Sequence, residues 1–225
     1  MTIASERPVA TIPKWAGGFE TLTIESEYPI TRVEGEIPKT LHGTLFRVGP
    51  AAHEIAGIRY RHWFDGDGMA SAIVFRDGKA SFRNRYVQTA GRLREQAAGK
   101  PLYAGYGTRL PDGTRKNVGK TIAPKNAANT NVVYHGCRLL ALWEGGRPYE
   151  LEAATLNTLG EYDFSGAIEG RAFSAHPKVM PGGEMINFGV SHGPRTLVHL
   201  YSVAENGQLS SNAEALPLPF EPFLH

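Results

Sequence analysis

Turn signals recur along this chain at intervals too short to leave room for many long helices. They are glycine-containing dipeptides of the kind that close hairpins and loops. The clearest are Asp65-Gly66, Asp77-Gly78, Asp112-Gly113, His135-Gly136, Gly145-Gly146, Gly182-Gly183 and Asn206-Gly207. The 26 Gly and 15 Pro among 225 residues also exceed the usual combined share of about 12%. These features predict a turn-rich protein built mainly of short strands.

The segments between the turns are rich in β-branched and aromatic residues, which favour strands. We predict strands at Ala72–Arg76, Ala80–Gln88, Thr130–Tyr134, Arg138–Trp143, Glu184–Val190 and Thr196–Val203. One short helix is predicted around Gly91–Ala98, with Leu93 and Ala97 four residues apart on one face.

The strands are arranged as successive hairpins. The segments 129–163 and 171–212 each fit a four-stranded antiparallel meander, without the strand–helix alternation of doubly wound folds. Sandwiches, barrels and propellers remain open at this point. Two meanders about 40 residues apart favour propeller blades, although no repeated sequence motif supports them.

Charge and hydropathy exclude several classes of protein. The 24 Lys and Arg nearly balance the 22 Asp and Glu, which argues against the clustered basic face of a nucleic-acid-binding protein. The longest wholly apolar run, Leu139–Trp143, is far shorter than the ~20 residues of a transmembrane helix. Met1–Ala10 lacks the apolar stretch of a signal peptide, and the single Cys137 excludes an internal disulfide. We therefore expect a soluble, cytosolic protein.

Residue patterns alone leave the chemistry undecided. Eight histidines are present, but none forms a helical His-x-x-x-His pair or joins a Cys-x-x-Cys zinc arrangement. His176 is distinctive because Pro177 follows it and is expected to end a strand there; locally, an ordinary strand-end histidine is still the better explanation. The turn Asp65–Gly68 fits a tight turn stabilised by aspartate side chains better than a calcium loop. Neither a serine nucleophile elbow nor a phosphate-binding loop occurs in the sequence.

Six segments, taken together and in order, resemble the carotenoid cleavage oxygenase family, which also contains retinoid isomerases and stilbene-cleaving dioxygenases. They are Gly43–Pro50 (GTLFRVGP), His62–Met69 (HWFDGDGM), Asn129–Val132 (NTNV), Leu140–Gly146 (LALWEGG), Phe173–Lys178 (FSAHPK) and Phe223–His225 (FLH). Six ordered motifs are far more specific than any one of them. The resemblance covers the N-terminal part, somewhat under half, of a typical member.

The resemblance implies a fold and a metal site. The family fold is a seven-bladed, all-β propeller, of which residues 1–225 would be the N-terminal blades of a single domain, without separate domains. Family members hold iron(II) with four histidines from different blades, and two of those positions match His176 and His225. The other ligands would lie beyond this chain. Glu144 matches the glutamate that orients an iron histidine, here expected to be His225.

The resemblance also implies an activity, namely cleavage of a conjugated carbon–carbon double bond by O2 to give two carbonyl products. The expected partners are O2 and an apolar polyene, without nucleic acid. Trp143 and Phe64 are candidates for the substrate tunnel, but core packing explains both residues better. Stilbene-cleaving members typically carry lysine where this chain has Trp143, which favours a carotenoid or apocarotenoid substrate.

Several alternatives remain open. One is a stilbene-cleaving dioxygenase, and another is a non-catalytic propeller fragment or binding module that holds no stable iron. An incomplete propeller leaves unpaired strand edges, so we expect the 225 residues alone to fold poorly. Two histidines cannot reproduce a four-histidine site, so we also expect these residues alone to lack dioxygenase activity. Peripheral membrane contact through Pro101–Tyr106 and the oligomeric state stay undecided.

Overall fold

The structure is a computed structural model that describes residues 14–110, 113, 124–168, 170–192, 195–212 and 215–219. Within these ranges the chain forms fifteen strands, one α-helix and two 3-10 helices, Lys14–Phe19 and Trp63–Asp65. Most of the strands belong to three antiparallel sheets that follow one another along the chain. The prediction of a mainly β protein is confirmed.

The first sheet is built from both local and distant pairings. Its strands are β1 (Glu27–Ile30), β2 (Gly43–Ala52), β5 (Asp67–Arg76) and β6 (Lys79–Tyr86), in the order β1-β6-β5-β2; β3 (Glu54–Ile55) and β4 (Ile58–Arg59) form a separate hairpin. The turn at Asp77-Gly78 joins β5 to β6 with φ angles of 52° and 74°, which suits the type I′ turns of hairpins. By contrast, β1 adds to the outer edge of β6, where Glu27 lies opposite Arg83.

The two predicted meanders are confirmed, the second sheet with four strands and the third with a fifth strand added. The second consists of β7 (Asn131–His135), β8 (Arg138–Leu142), β9 (Tyr149–Leu151) and β10 (Thr158–Glu161). The third consists of β11 (Lys178–Val179), β12 (Met185–Ser191), β13 (Thr196–Val203) and β14 (Leu209–Asn212), and β15 (Leu216–Leu218) also pairs with β13. Four-stranded meanders that follow one another are how propeller blades are built.

The turn between β7 and β8 lies one residue later than predicted. Strand β7 continues through His135, so the two turn residues are Gly136 and Cys137, with φ angles of 54° and 60°. A side chain at Gly136 would also be obstructed, because its Cβ would lie 2.3 Å from the Cα of Gly207. Two hairpin ends from neighbouring sheets therefore meet at this glycine.

The predicted helix exists, but its inward face differs from the expected one. Helix α1 spans Ala90–Ala98, begins at an N-cap Thr89 whose side chain accepts a hydrogen bond from Arg92 N, and ends at Gly99 in the left-handed conformation. Leu93 and Ala97 are both exposed, and the buried side chain is Glu95. No helix in the ranges that the structure describes is sufficiently long and apolar for a membrane span.

The hydrophobic core lies in the two spaces between consecutive sheets. One cluster joins the first and second sheets around Ala72, Leu139 and Ala141. The other joins the second and third sheets around Leu140, Leu142, Phe173, Met185 and Tyr201. Strand β8 thus packs on both faces, as its apolar sequence predicts. The alternate residues of the outer sheets, including Leu45 and Leu200, are exposed, so two apolar faces point away from the second sheet.

Candidate metal centre

Glu144 and His176 meet between the second and third sheets. Glu144 follows the end of β8, and its Oε2 accepts hydrogen bonds from Ser174 Oγ at 2.8 Å and from Ala175 N at 3.3 Å. Its other oxygen, Oε1, lies 2.8 Å from His176 Nε2. Oε1 is buried and makes no hydrogen bond of ordinary geometry with the described residues. Glu144 is therefore a rigidly held carboxylate with one oxygen available to an imidazole.

The segment that carries His176 is irregular but buried. Phe173 N donates to Gly146 O at 2.9 Å, and Ser174 N donates to Phe188 O at 2.8 Å, so the backbone is tied to both neighbouring sheets. The expectation that a strand ends at His176 is wrong, since β11 begins only at Lys178. Whereas these N–H groups bind backbone carbonyls, the carbonyl groups of the segment are satisfied by side chains rather than by a strand ladder.

Three side chains donate hydrogen bonds to carbonyl groups of this segment. Tyr201 OH donates to Ala172 O at 3.0 Å, Asn187 Nδ2 to Ser174 O at 2.8 Å, and Asn131 Nδ2 to Ala175 O at 2.8 Å. Burial raises the pKa of Tyr201, which keeps this phenol a neutral donor. The loop before His176 is therefore fixed by strands β7, β12 and β13.

The close approach of β12 to this loop depends on Gly189. A Cβ at Gly189 would lie 1.8 Å from Ala172 O. We expect Gly189→Ala to displace the loop and lower the free energy of unfolding by about 1–3 kcal/mol, the usual cost of overpacking. Urea unfolding measures this loss. Gly182→Ala is the matched control, because a Cβ there meets no atom within 4 Å; similar losses in the two variants would contradict the prediction.

The structure leaves the predicted metal set untested. His225 lies outside the described residues, and so does its predicted contact with Glu144. Within the described ranges, no group of three or more His, Cys, Asp or Glu residues is placed to hold a metal. The positive finding is that Glu144 faces His176, a pairing that the sequence analysis did not anticipate.

The two tunnel candidates lie in different surroundings. Trp143 is half-buried, and its ring packs over the following turn, since a Cβ at Gly145 would lie 2.8 Å from the Trp143 Cζ3. Phe64 is 44% exposed, so the core-packing interpretation is wrong for this residue. Its ring makes an edge contact with Tyr106, with centroids 5.4 Å apart. Phe64 therefore belongs to a surface aromatic group, held outward by the 3-10 helix Trp63–Asp65.

The prediction of a tight turn at Asp65–Gly68 is wrong, because Asp65 ends a 3-10 helix and Asp67 and Gly68 begin β5. The two aspartates bind distant parts of the chain instead. Asp65 accepts hydrogen bonds from the backbone N–H groups of Tyr106, Gly107 and Thr108 at 2.6, 3.1 and 3.0 Å. Leu102 N and Tyr103 N donate to Glu95 Oε1 at 2.8 and 3.3 Å, so the Pro101–Tyr106 segment is held against α1 and the 3-10 helix that ends at Asp65. Its contact with a membrane stays a prediction.

Asp67 belongs to a buried charge network that local sequence patterns did not reveal. Lys125 Nζ lies 2.6 Å from both Asp67 Oδ1 and Glu95 Oε2. Arg92 Nη1 lies 3.2 Å from Asp67 Oδ2, and Tyr60 OH donates to Glu95 Oε2 at 2.9 Å. Burial is the main reason that the pKa of Tyr60 is raised. Two carboxylates and two cations therefore balance inside the protein.

The charge network also holds the stretch of chain that leads into β7. Lys125 lies just before residues 126–131, and Gly68 N donates to Ala127 O at 2.8 Å. Asn129 Nδ2 donates to Phe64 O at 3.0 Å and to Gly66 O at 2.6 Å. This stretch leads into β7, whose first residue is Asn131. Residues 64–68, at the start of β5, therefore support the strand that binds the His176 loop.

A comparison with models of protein families shows to which family the chain belongs. The model described as retinal pigment epithelial membrane protein matches residues 19–225. The chain is a member of the carotenoid cleavage oxygenase family. The resemblance inferred from the six motifs is thereby confirmed.

Curated members of the family are similar to the chain but longer. The apocarotenoid-15,15'-oxygenase of Synechocystis is 44% identical over 170 residues, which is 74% of this chain and 34% of that protein. Resveratrol cleavage oxygenase 1 of Aspergillus fumigatus is 39% identical over 199 residues, or 87% of this chain and 39% of that protein. The chain therefore spans less than half the length of these relatives.

Solved structures of the family agree with the fold. An ACO/RPE65 chimera matches with a TM-score of 0.83 at 37% identity, over 90% of this chain and 44% of that one. Cobalt-substituted Synechocystis ACO matches with a TM-score of 0.80 at 36% identity, over the same shares of the two chains. Other structures are variants of that Synechocystis enzyme at two consecutive residues, a tryptophan and a glutamate. The fold is thus the family β-propeller, represented by its N-terminal part.

Proposed function

We propose that the protein containing this chain cleaves a conjugated carbon–carbon double bond of a carotenoid or apocarotenoid with O2, using iron(II). The observation that carries this proposal is the contact between Glu144 and His176, in a chain that is 44% identical to an apocarotenoid oxygenase. The pair joins two of the six motifs, Leu140–Gly146 and Phe173–Lys178. Residues 1–225 would form the N-terminal part of one propeller domain.

The residues of the centre suit a metal of this class. His176 and His225 would hold iron(II), because neutral imidazole is a suitable ligand for iron. The buried Glu144 Oε1 makes no hydrogen bond of ordinary geometry within the described part of the chain, although His176 Nε2 lies 2.8 Å from it. It is the kind of acceptor that a ligating histidine needs for its second N–H. When bound, iron would supply the site at which O2 reacts. Glu144 would hold one histidine in a single tautomer.

The substrate proposal rests on Trp143. The Synechocystis apocarotenoid oxygenase has consecutive tryptophan and glutamate residues, and this chain has one such pair, Trp143-Glu144. An indole offers apolar surface to a polyene but no charge to a phenolate. The second candidate is stilbene cleavage, which the 39% identity to a resveratrol oxygenase favours.

The test uses the polypeptide encoded by the complete reading frame. Iron content and O2-dependent turnover are measured with an apocarotenal, resveratrol and isoeugenol as parallel substrates. We expect about one iron per chain and a kcat/KM for the apocarotenal at least ~10-fold above the others, a difference of about 1.4 kcal/mol. Faster cleavage of resveratrol would move the assignment to stilbenes. Protein without bound iron or turnover would favour the binding-module alternative.

Location and membrane contact belong to the same proposal. We infer a cytoplasmic enzyme that takes an apolar substrate from a membrane surface, with the loop Pro101–Tyr106 as the contact. Support comes from Tyr106, which is exposed beside Phe64 and His62, because aromatic side chains favour membrane interfaces.

A further inference from the structure

We propose that Asn131 and Asn187 are positioning residues that fix His176 for metal binding. The proposal deepens the proposed function and rests on it, since it takes His176 as a metal ligand. Neither asparagine contacts the imidazole. Each acts on the backbone, through the two carbonyl groups that immediately precede His176 in the chain.

The two carboxamides come from different sheets. Asn131 is the first residue of β7 in the second sheet, and Asn187 lies in β12 of the third. Their Nδ2 groups donate to Ala175 O and Ser174 O, each at 2.8 Å. The backbone before His176 is therefore fixed relative to both sheets at once. A site shared between propeller blades requires this.

A metal site needs this support because His176 lies on a loop. Side chains on loops are less precisely placed than those on regular elements, and productive sites tolerate errors of only about 0.5 Å. The segment before His176 has few ladder hydrogen bonds, so the carboxamides supply the missing constraints. Asn187 is 2% exposed, which makes its hydrogen bond inaccessible to competing water.

The orientation of the Asn131 amide is itself fixed. Its Oδ1 accepts a hydrogen bond from Val132 N at 2.8 Å, so the NH2 group must point toward Ala175 O. Asn131→Asp keeps the acceptor for Val132 N and removes the donor. Asn131→Ala removes both without adding charge. Comparison of the two variants separates the loss of the Nδ2 donor from the effect of an added negative charge.

The test measures Co(II) affinity in the complete protein, from the visible absorption of the bound ion. Cobalt is a suitable probe because the Synechocystis relative has been solved with it. Outer partners of metal ligands typically contribute 10- to 100-fold in metal affinity. We therefore expect both Asn131 variants to raise the Kd for Co(II) by about 10- to 100-fold and to alter its absorption spectrum.

Asn84→Asp and Asn84→Ala are the matched controls. Asn84 is a buried asparagine of the first sheet whose Oδ1 also accepts a backbone N–H, from Ser26 at 2.6 Å. We expect these controls to lower the urea midpoint like the Asn131 variants while the Kd changes less than about twofold.

Unchanged Co(II) affinity in both folded Asn131 variants would overturn the positioning role. Unfolding of both would overturn it too, by assigning Asn131 to the fold. If the unmodified protein binds no Co(II), the proposed function fails first, and this inference fails with it.

Discussion

Replacing His176 by alanine in the complete protein is expected to lower bound iron below about a tenth of the unmodified level and turnover at least ~100-fold. Losing an outer partner already costs 10- to 100-fold in metal affinity or activity, so the loss of a direct ligand costs more. His176 Nε2 lies 2.8 Å from a buried carboxylate oxygen. Elemental analysis of the purified protein and O2-dependent product formation measure the two losses.

His42→Ala is the control for this prediction. His42 is exposed on a segment without regular structure, immediately before β2, and we expect its variant to keep its iron and its turnover. A His176→Ala protein that retains stoichiometric iron would show that the ligand assignment is wrong. We expect the bound iron and the turnover of Glu144→Gln to lie between those of His176→Ala and His42→Ala, because the amide oxygen still accepts hydrogen bonds from Ser174 and Ala175.

Replacing Lys125 by methionine is expected to lower the free energy of unfolding by about 3–5 kcal/mol, the usual result of removing one partner from a buried ion pair. Asp67 and Glu95 are 3% and 1% exposed, so neither carboxylate can recover its hydration. Arg92 alone would then face two negative charges. Methionine preserves the apolar stem of the side chain, which separates the charge effect from packing. Urea unfolding followed by tryptophan fluorescence measures the change.

Two further variants sharpen the test of the charge network. Arg32→Met removes an ion pair with Glu34 whose side chains are 92% and 91% exposed, and we expect a change below about 1 kcal/mol. Glu95→Gln combined with Lys125→Met removes one charge of each sign and should restore part of the lost stability. A small effect of Lys125→Met, equal to that of Arg32→Met, would contradict a buried network.

The strands were predictable from sequence because their determinants are local. The segment at residues 139–142 is apolar on both faces, and the Asp77-Gly78 turn fixes the pairing of its flanking strands. Hydrophobic runs and turn residues act within a few positions, so sequence patterns detect them. The one-residue error at Gly136 arose because turn type depends on φ angles that a dipeptide does not specify uniquely.

Long-range pairings were not predictable in this way. The burial of Glu95 in α1 is decided by Lys125, 30 residues away, and overrides the apolar pattern of Leu93 and Ala97. The meeting of Glu144 with His176 spans 32 positions, and only the family resemblance had marked both residues. Asn131 lay within the motif Asn129–Val132, but the motif assigned it no role. Asn187 gave no signal, because a carboxamide that binds a backbone carbonyl looks like any polar residue within a strand.

The outer strand β1 has a consequence for the order in which the first sheet forms. Its residues pair with residues of β6 that lie 50 to 56 positions further along the chain, whereas β5 and β6 are joined by a two-residue turn. Closing the larger loop costs more conformational entropy, and nonlocal contacts slow folding. We therefore expect the β5–β6 hairpin to form early and β1 to dock late. The first sheet would then be completed from its inner strands outward, against the order in which its residues leave the ribosome.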